Sequence, residues 1–128
     1  MSTRPAVAER SDTAAERVRR YYRHVDAHEI DALLDLFADD AVYARPGYEP
    51  LNGRAEIENF YRAERVITSG RHTVCSVLVD GAQVAVHGEF AGTVRTGEQV
   101  GLRFADFFVL DETGRFTRRD TFFFAPLV

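Results

Sequence analysis

The stretch FADFFVLDETGRFTRRDTFFF, Phe104–Phe124, decides the fold. Its side chains repeat with a period of two, so Phe104, Asp106 and Phe108 share one face of a strand and Phe107 and Val109 the other. Glu112-Thr113-Gly114 turns the chain back, because glycine supplies the positive φ that a tight hairpin needs. The returning strand sets Arg119, Thr121 and Phe123 against Phe116, Arg118, Asp120, Phe122 and Phe124. Both faces carry large apolar groups, which implies a sheet covered on both sides: by helices on one, and by a second copy of the chain on the other.

Towards the N-terminus the same period continues as far as Gly70. The pattern predicts strands over 71–80, 83–95, 99–110 and 115–125, with turns at Asp80-Gly81 and Thr96-Gly97. Before Gly70 the spacing is helical. Thr13 and Glu16 fit a capping box, and Val18, Tyr21, Tyr22 and Val25 form one buried stripe of a first helix. A second helix buries Ile30, Leu33, Leu34 and Phe37 and ends at Asp39-Asp40; Ala41–Ala44 reads as a short strand. Residues 45–53 (RPGYEPLNG) form a loop, and a third helix over 54–65 buries Ile57, Phe60 and Tyr61. The expectation is an α+β chain, a loose arm over 1–12 and one domain over 13–128, with helices against an antiparallel meander.

The chain has 128 residues, 45% of them hydrophobic and 28% charged, with a net charge of −4. That balance gives no electrostatic reason to bind nucleic acid or an anionic membrane. A single cysteine, Cys75, excludes an intramolecular disulfide and a multi-cysteine metal site. Residues 1–10 contain no apolar run of the signal-peptide kind, so a cytoplasmic protein is expected. His24, His28 and His72 show no metal-ligand spacing and read as ordinary structural histidines, so neither metal nor cofactor is expected.

Asp106 is the residue that chemistry singles out. It falls between Phe104 and Phe108 on an apolar face, where an unpaired carboxylate is costly. Burial can raise a carboxyl by about 3–5 pH units, enough to hold it protonated as a hydrogen-bond donor or general acid; an arginine or a tyrosine hydroxyl could satisfy it instead. His87 and Glu89 share a face one strand away and would be a second titratable pair if that face is the one carrying Asp106. Arg119 could neutralise such an acid or bind an anionic group.

Three segments carry a family resemblance: RRYYRHVDAHEIDALLDLFADDAVY (19–43), NGRAEIENFYR (52–62) and ADFFVLDETGRFTRRDTFFF (105–124). Together they resemble the ketosteroid isomerase and SnoaL-like families of the nuclear-transport-factor-two-like superfamily. The resemblance implies a curved antiparallel sheet wrapped with three N-terminal helices into a cone with a central pocket. It implies that Tyr21 binds a substrate oxyanion together with Asp106, supported by Tyr61. It puts Glu89, Ala91, Thr93, Arg119, Thr121 and Phe123 among the pocket residues, to which Phe104 and Phe108 add apolar surface. Where the isomerases carry a carboxylate base this chain has Arg45, and where limonene-epoxide-hydrolase-like relatives need an acid on the last strand it has Thr121.

The function expected from this is proton transfer next to a carbonyl, by a cyclase, dehydratase or isomerase, on an apolar polyketide-like or polycyclic molecule. Asp106 and Tyr21 would act on the oxyanion, and Glu89, His87 or Asp106 itself would be the base. The alternative is a small-ligand-binding protein without turnover, in which Arg45 and Arg119 clamp an anion. A homodimer through the sheet is expected in either case.

Overall fold

The computed structural model describes the backbone of residues 6–124 and the side chains of residues 13–124. Helix α1 runs Ala6–Asp26, α2 Ile30–Leu34 and α3 Arg54–Asn59; α3 continues as one π-helical turn, Phe60–Glu64. The strands are β1 Phe37–Ala44, β2 Leu51–Asn52, β3 Ile67–Asp80, β4 Gln83–Val94, β5 Gln99–Leu110 and β6 Phe116–Phe123. They form one sheet in the order β2-β1-β6-β5-β4-β3. No described helix is long and apolar enough to cross a membrane.

Helix α1 starts earlier than the capping box at Thr13 suggests. After Pro5 the sequence has no glycine or proline until Pro46, so nothing around Ala6 forbids a helix. Of the arm expected over 1–12, residues 1–5 lie outside the described residues and 6–12 belong to α1. The helix ends where His28 adopts φ 59° and the Glu29 N–H donates to the His24 carbonyl at 2.9 Å, a Schellman closure with histidine in the position glycine usually holds. Its stripe of Val18, Tyr21, Tyr22 and Val25 is buried against β3 and β4.

The meander β3–β6 is antiparallel throughout, whereas β1 joins β6 in parallel, a pairing that local alternation does not specify. Phe37 belongs to β1 and not to the second helix, and it pairs with Phe116. Phe116 was expected on the face of Arg118, yet it is wholly buried. The register between β5 and β6 shifts between Val109 and Leu110, skipping Thr117, and such a bulge reverses which face the following residues occupy. The inner face therefore carries Val84, Val86, Phe90, Phe104, Phe108 and Phe116 against the helices. The outer face leaves Leu78, Phe107, Phe122 and Phe124 exposed.

Gly88 is one of the positions in the sheet where only a glycine fits. It pairs with Phe104 across the β4–β5 ladder, and a β-carbon there would stand 2.6 Å from the Phe104 ring and 2.6 Å from the Thr73 backbone carbonyl. The backbone atom cannot move without bending β3. Gly88→Ala is therefore expected to lower unfolding stability by about 1–3 kcal/mol, measured by urea denaturation; an unchanged midpoint contradicts this packing.

Candidate functional site

The site grows from one buried cation. Arg119 comes from β6, where its cross-strand neighbours are Tyr43 on β1 and Phe108 on β5. Its guanidinium lies over the rings of Tyr43 at 4.5 Å and Tyr21 at 4.8 Å. Nη2 donates to the Asp106 carboxylate at 2.8 Å, and Nη1 donates to the Tyr21 hydroxyl at 2.5 Å and reaches the Tyr61 hydroxyl at 3.4 Å. Burial is the largest influence and works against its charge, but Asp106 together with the Tyr21, Tyr43 and Tyr61 phenols outweighs it and holds the guanidinium well above its ordinary pKa.

Asp106 is fully buried, as its apolar strand position implies. Its partners differ from those expected. Tyr22, not Tyr21, donates to Oδ2, which Arg119 also reaches, and Thr121 from the paired position on β6 donates to Oδ1. Both oxygens are committed within the protein, and the carboxylate does not reach the cavity wall. Asp106 is thus the counter-ion that lets Arg119 be buried, rather than a donor to a ligand. Phe108 likewise belongs to the core, packed on Phe116 and Tyr21.

Tyr21 and Tyr61 share a hydrogen bond between their hydroxyls, and Arg119 donates to both. One phenolic proton is used within this pair, so the other remains uncommitted beside a cation. Burial raises the pKa of Tyr21 well above the ordinary phenol value, with Arg119 opposing, and burial raises that of Tyr61 too. Both stay protonated donors near neutral pH. The third phenol of the cavity wall, Tyr43, accepts from Arg45 Nη1 at 3.2 Å.

The same cavity is lined by a residue that reads in the sequence as an ordinary structural histidine. His72 on β3 donates from Nδ1 to Asp26 Oδ1 at 2.6 Å, while its backbone N–H donates to Asp26 Oδ2 at 2.8 Å. The carboxylate thereby fixes the tautomer, leaving the Nε2 lone pair without a hydrogen-bond partner among the described residues. The ring is held between Phe90 at 4.7 Å and Tyr22 at 5.1 Å. A signal was available in the sequence: Asp26 lies four residues beyond Tyr22, on the flank of the buried stripe, where a carboxylate needs a partner.

His87 and Glu89 are not part of the site. The ladder pairs Val86 with Asp106, so the Asp106 face of β4 carries Val84, Val86 and Phe90. His87, Glu89 and Ala91 are exposed on the opposite face, Glu89 opposite Arg103. Alternation groups these residues correctly but cannot say which group points inward.

The enclosed space is narrow, about 30 Å³, room for one or two waters or a single functional group. Its polar wall is made by the three phenols, His72 and Thr121, with Arg45, Arg65 and Arg119. Its apolar wall includes Phe90, Leu102, Phe104 and Phe123. Among the described residues no three His, Cys, Asp or Glu side chains are grouped to hold a metal ion.

The SnoaL-like domain model matches residues 18–119. Among solved structures, a limonene-epoxide-hydrolase-like enzyme from M. tuberculosis aligns with TM-score 0.78 at 19% identity, over 89% of this chain and 84% of that one. An NTF2-like protein of unknown function from Burkholderia pseudomallei aligns with TM-score 0.80 at 19% identity, over 88% and 91%. SalBIII, an epoxide hydrolase/cyclase-like enzyme of pyran ring formation in salinomycin, aligns with TM-score 0.78 at 21% identity, over 88% and 92%. At these identities the likeness is one of fold.

Two measurements test this site. Asp106→Ala leaves the Arg119 charge buried without its counter-ion and is expected to cost about 3–5 kcal/mol of stability, part of which the double variant Asp106→Leu/Arg119→Met restores. In alkali, Tyr21, Tyr22 and Tyr61 stay protonated in the folded chain, all raised chiefly by burial, while unfolded phenols ionise near pH 10. Stability is therefore full below about pH 10 and falls as pH rises further, by up to about 4 kcal/mol per pH unit for three phenols. Denaturation series between pH 9 and 11 should show this slope, reduced by about a third in Tyr21→Phe.

Proposed function

Because the chain belongs to the SnoaL-like domain family, we propose that its cavity transfers a proton next to a carbonyl group, as a cyclase, dehydratase or isomerase acting on a small apolar, polyketide-like or polycyclic molecule. The observation that carries this reading is that an Asp26-oriented His72 and an Arg119-backed phenol pair line one small cavity.

In this reading the substrate oxygen accepts the uncommitted proton of the Tyr21–Tyr61 pair, and Arg119 stabilises the negative charge that develops there. Donors fixed in advance at such a position contribute about 3–4 kcal/mol of barrier lowering each. His72 Nε2 removes the proton from the adjacent carbon, Asp26 stabilises the resulting imidazolium, and the proton is returned at the next position or to a leaving group. This assigns to His72 the base role that His87, Glu89 or Asp106 was expected to fill. A space of about 30 Å³ admits the reacting oxygen and carbon, so in this reading the rest of the substrate lies outside it, with Phe123 and Leu102 among the apolar lining residues available to it.

The proposal places this activity in one domain over 13–128, in the cytoplasm. It adds a homodimer through the outer sheet face, supported by the exposed Phe107, Phe122 and Phe124.

The test uses 2-tetralone, an apolar bicyclic ketone, and follows exchange of its α-protons into D2O by proton NMR. The protein should exceed an equal concentration of imidazole, and His72→Gln should lower the enzymatic rate by about 10²–10⁴-fold with an unchanged circular dichroism spectrum. Asp26→Asn should lower it as well, since the tautomer is no longer fixed. Exchange by His72→Gln at the wild-type rate removes this mechanism.

A further inference from the structure

The cavity wall holds three arginines and no carboxylate, in a chain whose net charge is −4. Only one of the three is neutralised. Arg119 is paired with Asp106, whereas Arg45 and Arg65 have no carboxylate within 4 Å among the described residues. Their surroundings are aromatic instead. The Arg45 guanidinium lies over Phe60 at 5.0 Å and over Tyr48 and Phe123 at 5.5 Å each, and Arg65 lies over Tyr61 at 5.7 Å. The Nε atoms of both, and that of Arg119, are buried without a hydrogen-bond acceptor.

Aromatic faces orient a guanidinium but do not accept its N–H groups in the plane of the fork. Arg45 gives one Nη1 bond to Tyr43 and Arg65 rests on a single ring, so each guanidinium keeps its Nε and further N–H donors for a planar anion that accepts two N–H bonds at once. The narrow cavity fits this, because a carboxylate is about the size of the group it admits. Rings at the mouth give such a group's carrier an apolar surface to stack on.

We infer that the ligand is an anion, a planar aromatic or enolised molecule carrying a carboxylate, and that Arg45 and Arg65 are the binding residues that select it. The inference rests on the proposed function in using the same cavity and in supplying its substrate class; the binding it describes is measured without turnover. An anionic group held by Arg45 and Arg65 leaves Arg119 and the phenol pair for the reacting oxygen. Selection would lie in charge: a neutral molecule of the same shape leaves two cations desolvated and unpaired.

Benzoate serves as the probe and benzamide as its neutral isostere, titrated into the whole protein by isothermal calorimetry with ligand-observed NMR as a second readout. Benzoate should bind at least about tenfold more tightly than benzamide, as a charge-assisted pair requires. Arg45→Met and Arg65→Met should each lower benzoate affinity by about tenfold or more, while leaving that for benzamide little changed. Arg45 is packed against three rings, so Arg65→Met, resting on one, is the variant less exposed to a folding defect. Equal affinity for the two probes, or benzoate affinity unaffected by Arg65→Met in a folded variant, overturns the inference. Because 2-tetralone carries no carboxylate, exchange is also followed with a ring-carboxylated tetralone: benzoate binding with exchange of neither ketone sinks the proton-transfer reading alone, and tetralone exchange without preference for benzoate sinks this inference alone.

Discussion

A guanidinium sealed from solvent constrains everything around it. Arg119 is 5% exposed, and a charge so placed is tolerated only when a counter-ion and further acceptors surround it. The chain supplies them from five segments: Asp106 from β5, Tyr21 from α1, Tyr61 from the π-turn, the Tyr43 ring from β1 and, through Asp106, Thr121 from β6. The helices and the sheet are thereby tied at one point, and the aromatic residues that make the core also make the site. Tyr22 illustrates this: it donates to Asp106 and lends its ring face to His72.

The burial of Asp106 marks the position where the structure departs from the role that the resemblance to the steroid isomerases implies. An acid at this position can donate to a ligand only if one oxygen is free. Here Tyr22, Thr121 and Arg119 occupy both. In the proposed function a ligand oxygen is met by the phenol pair, whose hydroxyls are raised in pKa by burial and receive hydrogen bonds from Arg119. Removing or neutralising any one member of such a network disturbs the others, because Arg119 links the Asp106 carboxylate to the Tyr21–Tyr61 pair.

Much of the architecture was legible because it is periodic. The four long strands, the buried stripe of α1 and the glycine turns are local patterns, and the structure reproduces them within a few residues. What escaped was non-local. The parallel joining of β1 to β6 depends on the path of the whole chain, and the burial of Phe116 depends on a bulge that alternation cannot foresee. The inward group of β4 is fixed only by its register with β5, which turned His87 and Glu89 outward. At the site, Asp106, Arg119 and Tyr21 stood out as a buried acid, a candidate partner and a stripe tyrosine. The pairing of Asp26 with His72 joins residues 46 positions apart; spacing marks Asp26 as an acid beside the buried stripe but does not name its partner.

The π-turn at Phe60–Glu64 has a consequence for how such a domain could change its ligand. A π-turn is an α-helix carrying one additional residue, and that residue sets the angular phase between Phe60 in the core, Tyr61 at the phenol pair and Arg65 beside the opening. Deleting one residue here would restore regular winding and swing the following side chains by about 100°. The hydrophobic anchor would keep its place while the polar pair beyond it turned away. Divergence of recognition could therefore proceed through a single-codon indel in an otherwise conserved scaffold, with no need to exchange the amino acids that contact the guest.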